Sequence, residues 1–456
     1  MSVYLQQARI TLRLALPMVV GQVSQMLLGV IDSVMIGRLG AIPLAASAFA
    51  GGVFMLFFMV GVGLLLPVAV LVSREHGAGK TQDVALWLQQ GTVLAVLAGL
   101  AEVGLMLALW GVSSHLGQPP EVLAEAGPFY ALIAVSLLPA MLFQVFRQYA
   151  EALGRPWIPM ALMLGGVALN VGLNWVLIYG NLGAPALGLA GAGWATLAAR
   201  LAVLAAIIVW LRRTAAFRGV WPAVWQGWPR AGRLRVMAGL GGPAAAMFFM
   251  EVGAFMVSTL IMGWLGAKAL AAHQIALSCA GFMFMFPLGL SMAVGMRLAK
   301  AAGEGRHDLL RPIAGGALAM GWAIMSISAV VFALFGADLA RGFVDEPGVI
   351  VLATRLLVVA AIFQLFDAAQ VIGAGALRGL ADVRVPTVIT FVAYWVLAIP
   401  CAYGLGLHTS MGAVGVWTGL ATGLGVAAVL LAIRFWRLTR PTPPHAPVQA
   451  KVSPIR

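Results

Sequence analysis

Charge is scarce in this 456-residue chain: Asp, Glu, Lys and Arg make up 9% of it, while 62% is hydrophobic. A soluble domain carries roughly 25% charged residues. So few charges cannot cover an aqueous surface of this size, and lipid must therefore solvate most of the molecule. Cysteine is nearly missing. Cys279 and Cys401 sit in separate apolar runs, which argues against a disulfide framework and against a CxxC metal or redox centre. Nucleotide-hydrolysis motifs are missing too. Gly77-Ala78-Gly79-Lys80-Thr81 resembles a P-loop only in part, because the Gly-x₄-Gly-Lys frame would need glycine where Arg74 stands. With no metal-ligand cluster and no nucleophile triad either, the chain is read as non-enzymatic and as needing no cofactor.

What is present is apolar sequence in long runs. A membrane helix needs about 20 mostly apolar residues. Twelve stretches qualify: 14–36, 46–72, 87–111, 123–147, 158–179, 190–211, 239–264, 271–296, 313–336, 349–374, 386–407 and 413–434. The first is too long for the apolar core of a signal peptide and reads as a membrane span. No strand-like alternation competes, and in lipid each segment must satisfy its own backbone hydrogen bonds. The fold class expected is an all-α membrane protein.

Net charge is +13. In a soluble chain that would suggest nucleic acid. Here the basic residues fall between spans, as the positive-inside rule describes, and no nucleic-acid partner is expected. With the N-terminus placed in the cytoplasm, 23 Lys and Arg fall on the cytoplasmic side. Only Arg38, Lys268 and Arg341 fall outside, with Arg355 near that face and Arg200 inside span 6. Both termini are therefore expected in the cytoplasm.

The two halves repeat. At one constant offset, Pro17 meets Pro243, Gly63 meets Gly289, Gly77 meets Gly303 and Gly79 meets Gly305. Ile36 to Ala41 likewise meets Met262 to Ala267. Six spans per half give both halves the same orientation. They are parallel repeats about an axis along the membrane normal, with a central cleft between two pseudo-symmetric six-helix lobes. The expected domains are an N-terminal lobe over 1–211, a cytoplasmic linker over 212–238, a C-terminal lobe over 239–436 and a disordered tail over 437–456. The linker's Trp221, Trp225 and Trp228 are expected at the membrane interface.

Acids inside spans are the informative residues, because a carboxylate at mid-bilayer costs about 2.5–3.5 kcal/mol on insertion scales. Asp32, Glu102, Glu251 and Asp367 qualify. Asp32 in span 1 reads as a proton or cation site, or as a structural acid bonded to its neighbours. Asn170 and Asn174, one turn apart in span 5, share a face and could donate to it; they could equally be interhelical polar glue. Glu251 in span 7 and Asp367 in span 10 could converge to hold Na⁺ or share a proton. Arg200 is the one basic residue read as deep in a span, and it is expected to neutralise a buried acid or a helix carbonyl end. Met and aromatic side chains crowd spans 2, 7 and 8, as in Phe54 to Met59 and Phe282 to Phe286. They suit either a soft wall for organic cations or ordinary packing.

Several segments together resemble the multidrug and toxic compound extrusion (MATE) family in its NorM-like branch. They are Asp32 to Gly37, Asn170 to Gly180, Gly191 to Thr196, Ala271 to Leu277, Pro287 to Ser291 and Gly375 to Gly379. The resemblance covers about 10–436. It implies two lobes around a V-shaped cleft and secondary active export of cationic drugs against inward Na⁺ or H⁺, from a bacterial inner membrane. It implies cation coupling at Asp32, Glu251 and Asp367, with Na⁺ possible at the last two. Asn170, Asn174, Thr196 and Gln274 would form a supporting polar network. Gln25, Met250, Met283, Phe284 and Phe286 would line the substrate cleft; some members place a Tyr on helix 8 near the cation, a ligand this sequence replaces with Phe284. A monomer is expected. One alternative is a flippase for lipid-linked oligosaccharide or peptidoglycan precursor, which should carry basic residues in the cleft; another is a membrane scaffold or passive channel, against which the buried acids and the repeat symmetry count.

Overall fold

The computed structural model describes residues 3–116, 119–222, 225 and 230–440. Within them are twelve helices long and apolar enough to cross a membrane: α1 Val3–Gly37, α2 Ala41–Gly77, α3 Thr81–Trp110, α4 Pro120–Ala152, α5 Trp157–Tyr179, α6 Gly188–Arg213, α7 Ala231–Trp264, α8 Ala267–Gly303, α9 His307–Arg341, α10 Pro347–Gly379, α11 Arg384–Leu407 and α12 Ala413–Leu438. Several overrun the apolar windows by a turn or more. A helix need not stop where the hydrocarbon does, since intrahelical hydrogen bonds serve equally well in the headgroup region. The described residues contain no strand. Trp228 and all of the expected tail beyond residue 440 lie outside the described residues.

Proline and glycine shape the spans. α2 breaks at Leu66 because Pro67 has no N–H for the ladder, and a second segment, Pro67–Gly77, starts there. The turns after α1 and α7 use Gly40 and Gly266 at φ +127° and +107°; those after α2 and α8 use Gly79 and Gly305 at φ +74° and +73°. A side chain would be strained at each. Both pairs keep the offset that relates Pro17 to Pro243, so the repeat read from sequence is a repeat of backbone geometry.

In the C-terminal lobe, α10 packs against α8, α9 and α12; in the N-terminal lobe α5 packs on α6 and α1, and α4 on α2 and α3. A second hydrophobic core, from Ala254 to Leu424, lies wholly within the C-terminal lobe. The lobes meet through α1 with α8 and α9, and through α2 with α7 and α8. Glycine permits this contact, and the repeat makes it reciprocal. A Cβ on Gly63 would lie 2.5 Å from Ala245 Cα, and one on Gly289 would lie 3.1 Å from Val19 Cα. A Cβ on Gly77 would overlap the carbonyl of Lys300, and one on Gly303 the carbonyl of Arg74. Arg297 ties the same end together by donating to the Gln7 carbonyl at 2.7 Å and to the side chains of Gln7 and Thr11. All these contacts sit toward the end that carries the N-terminus. In the other halves of the same helices, a Cβ on Gly29, Gly51, Gly52, Gly263 or Gly281 would meet nothing within 4 Å.

Candidate functional site

In the N-terminal lobe three helices converge on one polar chain. Asn174 Nδ2 donates to Asp32 Oδ1 at 2.6 Å and to Asn170 Oδ1 at 2.9 Å. Asn170 Nδ2 reaches Thr196 Oγ1 at 3.3 Å, and that hydroxyl donates to the Ala192 carbonyl at 2.9 Å. Local sequence explains the register. Asn170 and Asn174 are one turn apart and share a face of α5. Glycines on α6 bring it close, since a Cβ on Gly191 would overlap the Leu177 carbonyl. Tyr179 clamps α5 to α1 through the Met35 carbonyl at 2.7 Å. Asn170, Asn174 and Thr196 are buried, while Asp32 is half-buried. Asn174 Oδ1 has no hydrogen-bond partner. The chain thus ends on oxygen acceptors rather than donors, an arrangement able to hold a proton or a small hard cation.

Arg200 lies within reach of the charge of Asp32. Its charge thus faces an acid inside the lobe, one of the two roles expected of it, without a direct ion pair. It donates to Ser136 Oγ at 2.5 Å and stacks over the Phe54 ring at 4.2 Å. Nor is it alone in depth. Arg147 in α4 is only 1% exposed, beside the equally buried Glu151. The sequence places Arg147 at the predicted edge of a span and so suggests a loop cation. The helix in fact continues to Ala152 and folds it inward. Glu102 is buried in α3, and its Oε2 lacks a partner.

In the C-terminal lobe, Glu251 and Asp367 do converge: each lies within reach of the other's charge, with Arg378 near Glu251. Asp367 is buried and Glu251 half-buried. Sequence reasoning missed a third member. Tyr394 of α11 is fully buried, lies within reach of the charge of both acids, and has an unpartnered hydroxyl. It occupies a π-helical stretch, Val392–Ala398, of the kind that often marks functional sites. No apolar-periodicity signal reveals a π-turn. Trp395 in the same stretch anchors α11 to α7 through the Met250 carbonyl at 3.2 Å.

Other predicted positions separate. Gln274 is exposed and lies outside the Asp32 chain. Its neighbour His273 is fully buried and bonded to Thr259 and Trp417, each at 3.1 Å. The helical rotation of about 100° per residue turns one toward α7 and α12 and the other away. Gln25 is exposed. Met250, Phe284 and Phe286 are partly buried, and Met283 packs on the C-terminal core. Among the described residues, no three His, Cys, Asp or Glu side chains gather as a metal site. Any cation held here must draw on neutral oxygens as well as carboxylates.

The MatE family model matches this chain twice, over residues 17–176 and 243–404, and the two matches begin at the repeat-related Pro17 and Pro243. The probable multidrug resistance protein NorM of Mesorhizobium japonicum is 35% identical, over 98% of this chain and 97% of that protein. The multidrug resistance protein MdtK of Yersinia pestis is 34% identical, over 97% and 98%. Among solved structures, an outward-facing MATE family multidrug resistance transporter superposes with a TM-score of 0.86 at 20% identity, covering 96% of this chain and 98% of that one. A eukaryotic MATE transporter gives 0.86 at 21%, covering 96% and 99%. With both halves matching one family model and relatives similar over their full length, the chain belongs to the multidrug and toxic compound extrusion family.

Proposed function

We propose that this protein is a secondary active multidrug exporter of a bacterial inner membrane, with both termini cytoplasmic. It exchanges organic, mainly cationic compounds for inward-moving Na⁺ or H⁺. The observation that carries the reading is the Asp32–Asn174–Asn170–Thr196 chain, an oxygen-rich polar system set inside an apolar lobe. Ionisable groups inside a membrane span are costly and by default mark a path for ions or substrate. Asp32 is assigned as the coupling acid of the N-terminal lobe, with Asn170, Asn174 and Thr196 fixing its geometry. Glu251 and Asp367, with the Tyr394 hydroxyl, are assigned as the second cation site. The relatives' names point to drugs as cargo. The segment 212–238 is assigned as the linker between lobes 1–211 and 239–436.

Exchange follows from differential binding. The lobes are joined tightly toward the end that carries the N-terminus, and a cation that binds one arrangement of them more tightly shifts the population toward it. Drug binding in the cleft favours the opposite arrangement, so each ligand expels the other. A lipid-precursor flippase fits less well. Arg200 already donates to Ser136 and covers Phe54, and the charge of Arg147 is already opposed by the buried Glu151, so neither offers an uncompensated charge for a pyrophosphate.

The test is drug efflux from vesicles under an imposed Na⁺ gradient or an imposed pH gradient. Asp32→Asn, Glu251→Gln and Asp367→Asn should each lower gradient-driven efflux at least tenfold while the protein still inserts. If all three pump at the normal rate, the assignment fails.

A further inference from the structure

The cytoplasmic half of the N-terminal lobe holds charge that cation binding at Asp32 does not use. Arg147, Gln148 and Glu151 lie on one stripe of α4 and are all buried. Arg147 Nη1 reaches Gln22 Oε1 of α1 at 3.4 Å, and its Nε lies 3.8 Å from Glu151 Oε1. Neither approach is a good hydrogen bond. Arg147 Nε, Gln148 Oε1 and Glu151 Oε2 all lack a hydrogen-bond partner. Three orphaned polar atoms in one buried cluster demand ordered water, because a buried polar atom left bare is strongly unfavourable.

The cluster connects upward and downward. Gln22, Gln25, Gly29 and Asp32 fall on one face of α1, at spacings of three or four residues. Gly29 is exposed, and an added Cβ there would meet nothing within 4 Å, so no neighbouring side chain covers that point of the face between Gln25 and Asp32. At the lower end, Glu151 precedes the exposed Gly154 and Arg155 by about one turn.

We propose that these residues form a hydrated relay carrying a proton from Asp32 to the N-terminal end of the molecule. This rests on the antiport reading above, with H⁺ as the coupling ion. In the transfer, the O–H bond at the Asp32 carboxyl breaks and its proton passes to a water along the Gln25–Gln22 stripe. A water at the cluster gives up a proton in turn, and a new O–H bond forms at Glu151. Asp32 is left as a carboxylate, stabilised by Asn174. Glu151 then releases its proton to solvent beside Gly154 and becomes a carboxylate facing Arg147. Charge and protons balance, with water the only co-reactant.

Two measurements on the full chain test this. In radiolytic hydroxyl-radical footprinting of the purified protein, bound water labels its neighbours. Met163, whose sulfur lies 3.8 Å from Arg147 Nη1 and which is only 8% exposed, should oxidise at least fivefold faster than the buried Met106 and Met262. Equal protection of all three overturns the relay without any variant. In proteoliposomes, Glu151→Gln should lower pH-gradient-driven efflux at least tenfold with drug affinity in detergent unchanged, and Glu151→Asp should restore it. Normal pH-driven efflux by Glu151→Gln overturns the relay alone. So does wild-type exchange under a Na⁺ gradient with none under a pH gradient. If wild type exchanges drug for neither ion, the antiport reading itself falls.

Discussion

Gly303→Ala tests the junction between the lobes. Its added methyl would overlap the Arg74 carbonyl oxygen and lie 2.9 Å from the carbonyl carbon and 3.2 Å from Ala78 N. These are backbone atoms of a helix end, so no side chain can rotate away. Overpacking of this kind costs about 1–3 kcal/mol, and the rigidity of the neighbours puts Gly303 toward the upper part of that range. The penalty falls only on the arrangement in which α2 and α8 touch. A penalty of about 2–3 kcal/mol shifts the ratio of open to closed junctions by about 30- to 150-fold, since about 1.4 kcal/mol is tenfold. The assay is thiol labelling of Val19→Cys in a background with Cys279 and Cys401 replaced by Ser. Val19 is buried against Gly289 at the junction, so labelling should accelerate by the same factor. Gly165→Ala is the control, because a Cβ there meets nothing within 4 Å. Unchanged labelling in Gly303→Ala, or an equal acceleration in Gly165→Ala, would refute the reasoning. Gly77→Ala, the symmetric counterpart against Lys300, should behave alike.

Other outcomes follow from the same geometry. Tyr394→Phe removes a buried hydroxyl without a partner, so thermal stability should hold or rise by about 1–2 kcal/mol. If the hydroxyl helps to hold the cation, efflux should nonetheless fall several-fold; unchanged efflux removes Tyr394 from the site. Arg147→Met strands Glu151 without its counter-charge and should destabilise by about 3–5 kcal/mol, read as a lower midpoint of thermal aggregation. The double variant Arg147→Met with Glu151→Leu should recover most of that loss, and a double variant as unstable as the single one would show that the charge is not the cause.

Much of the architecture was legible in the amino-acid order. Twelve helices follow from apolar length, because lipid leaves the backbone no other partner. The halves show themselves through Gly and Pro at one offset, and the structure supplies the reason. Gly40 and Gly266 must take positive φ, while Gly63, Gly77, Gly289 and Gly303 sit where a neighbouring backbone leaves no room for Cβ. The polar chain around Asp32 was legible as well. Asn170 and Asn174 share a helix face, and an acid in lipid needs donors.

Other features depended on packing. Arg147 looked like a loop cation because its fate turned on where α4 ends, which hydropathy locates only to within a few residues. Arg200 was expected to neutralise a buried acid or a helix carbonyl end; it lies within reach of the charge of Asp32 while its hydrogen bond goes to Ser136 and its face to Phe54, since a guanidinium can be satisfied in several ways and only its neighbours select among them. Gln274 and His273 are adjacent, yet one is exposed and the other fully buried. Tyr394 reached the acids through a π-turn that leaves no mark on apolar periodicity. Composition and spacing along the chain were enough to set the solvent, the number of spans and their twofold repeat, because each of those is a property of the linear order of residues. Which polar groups meet was settled only in three dimensions, because that depends on helix rotation and on contacts between residues far apart in the chain.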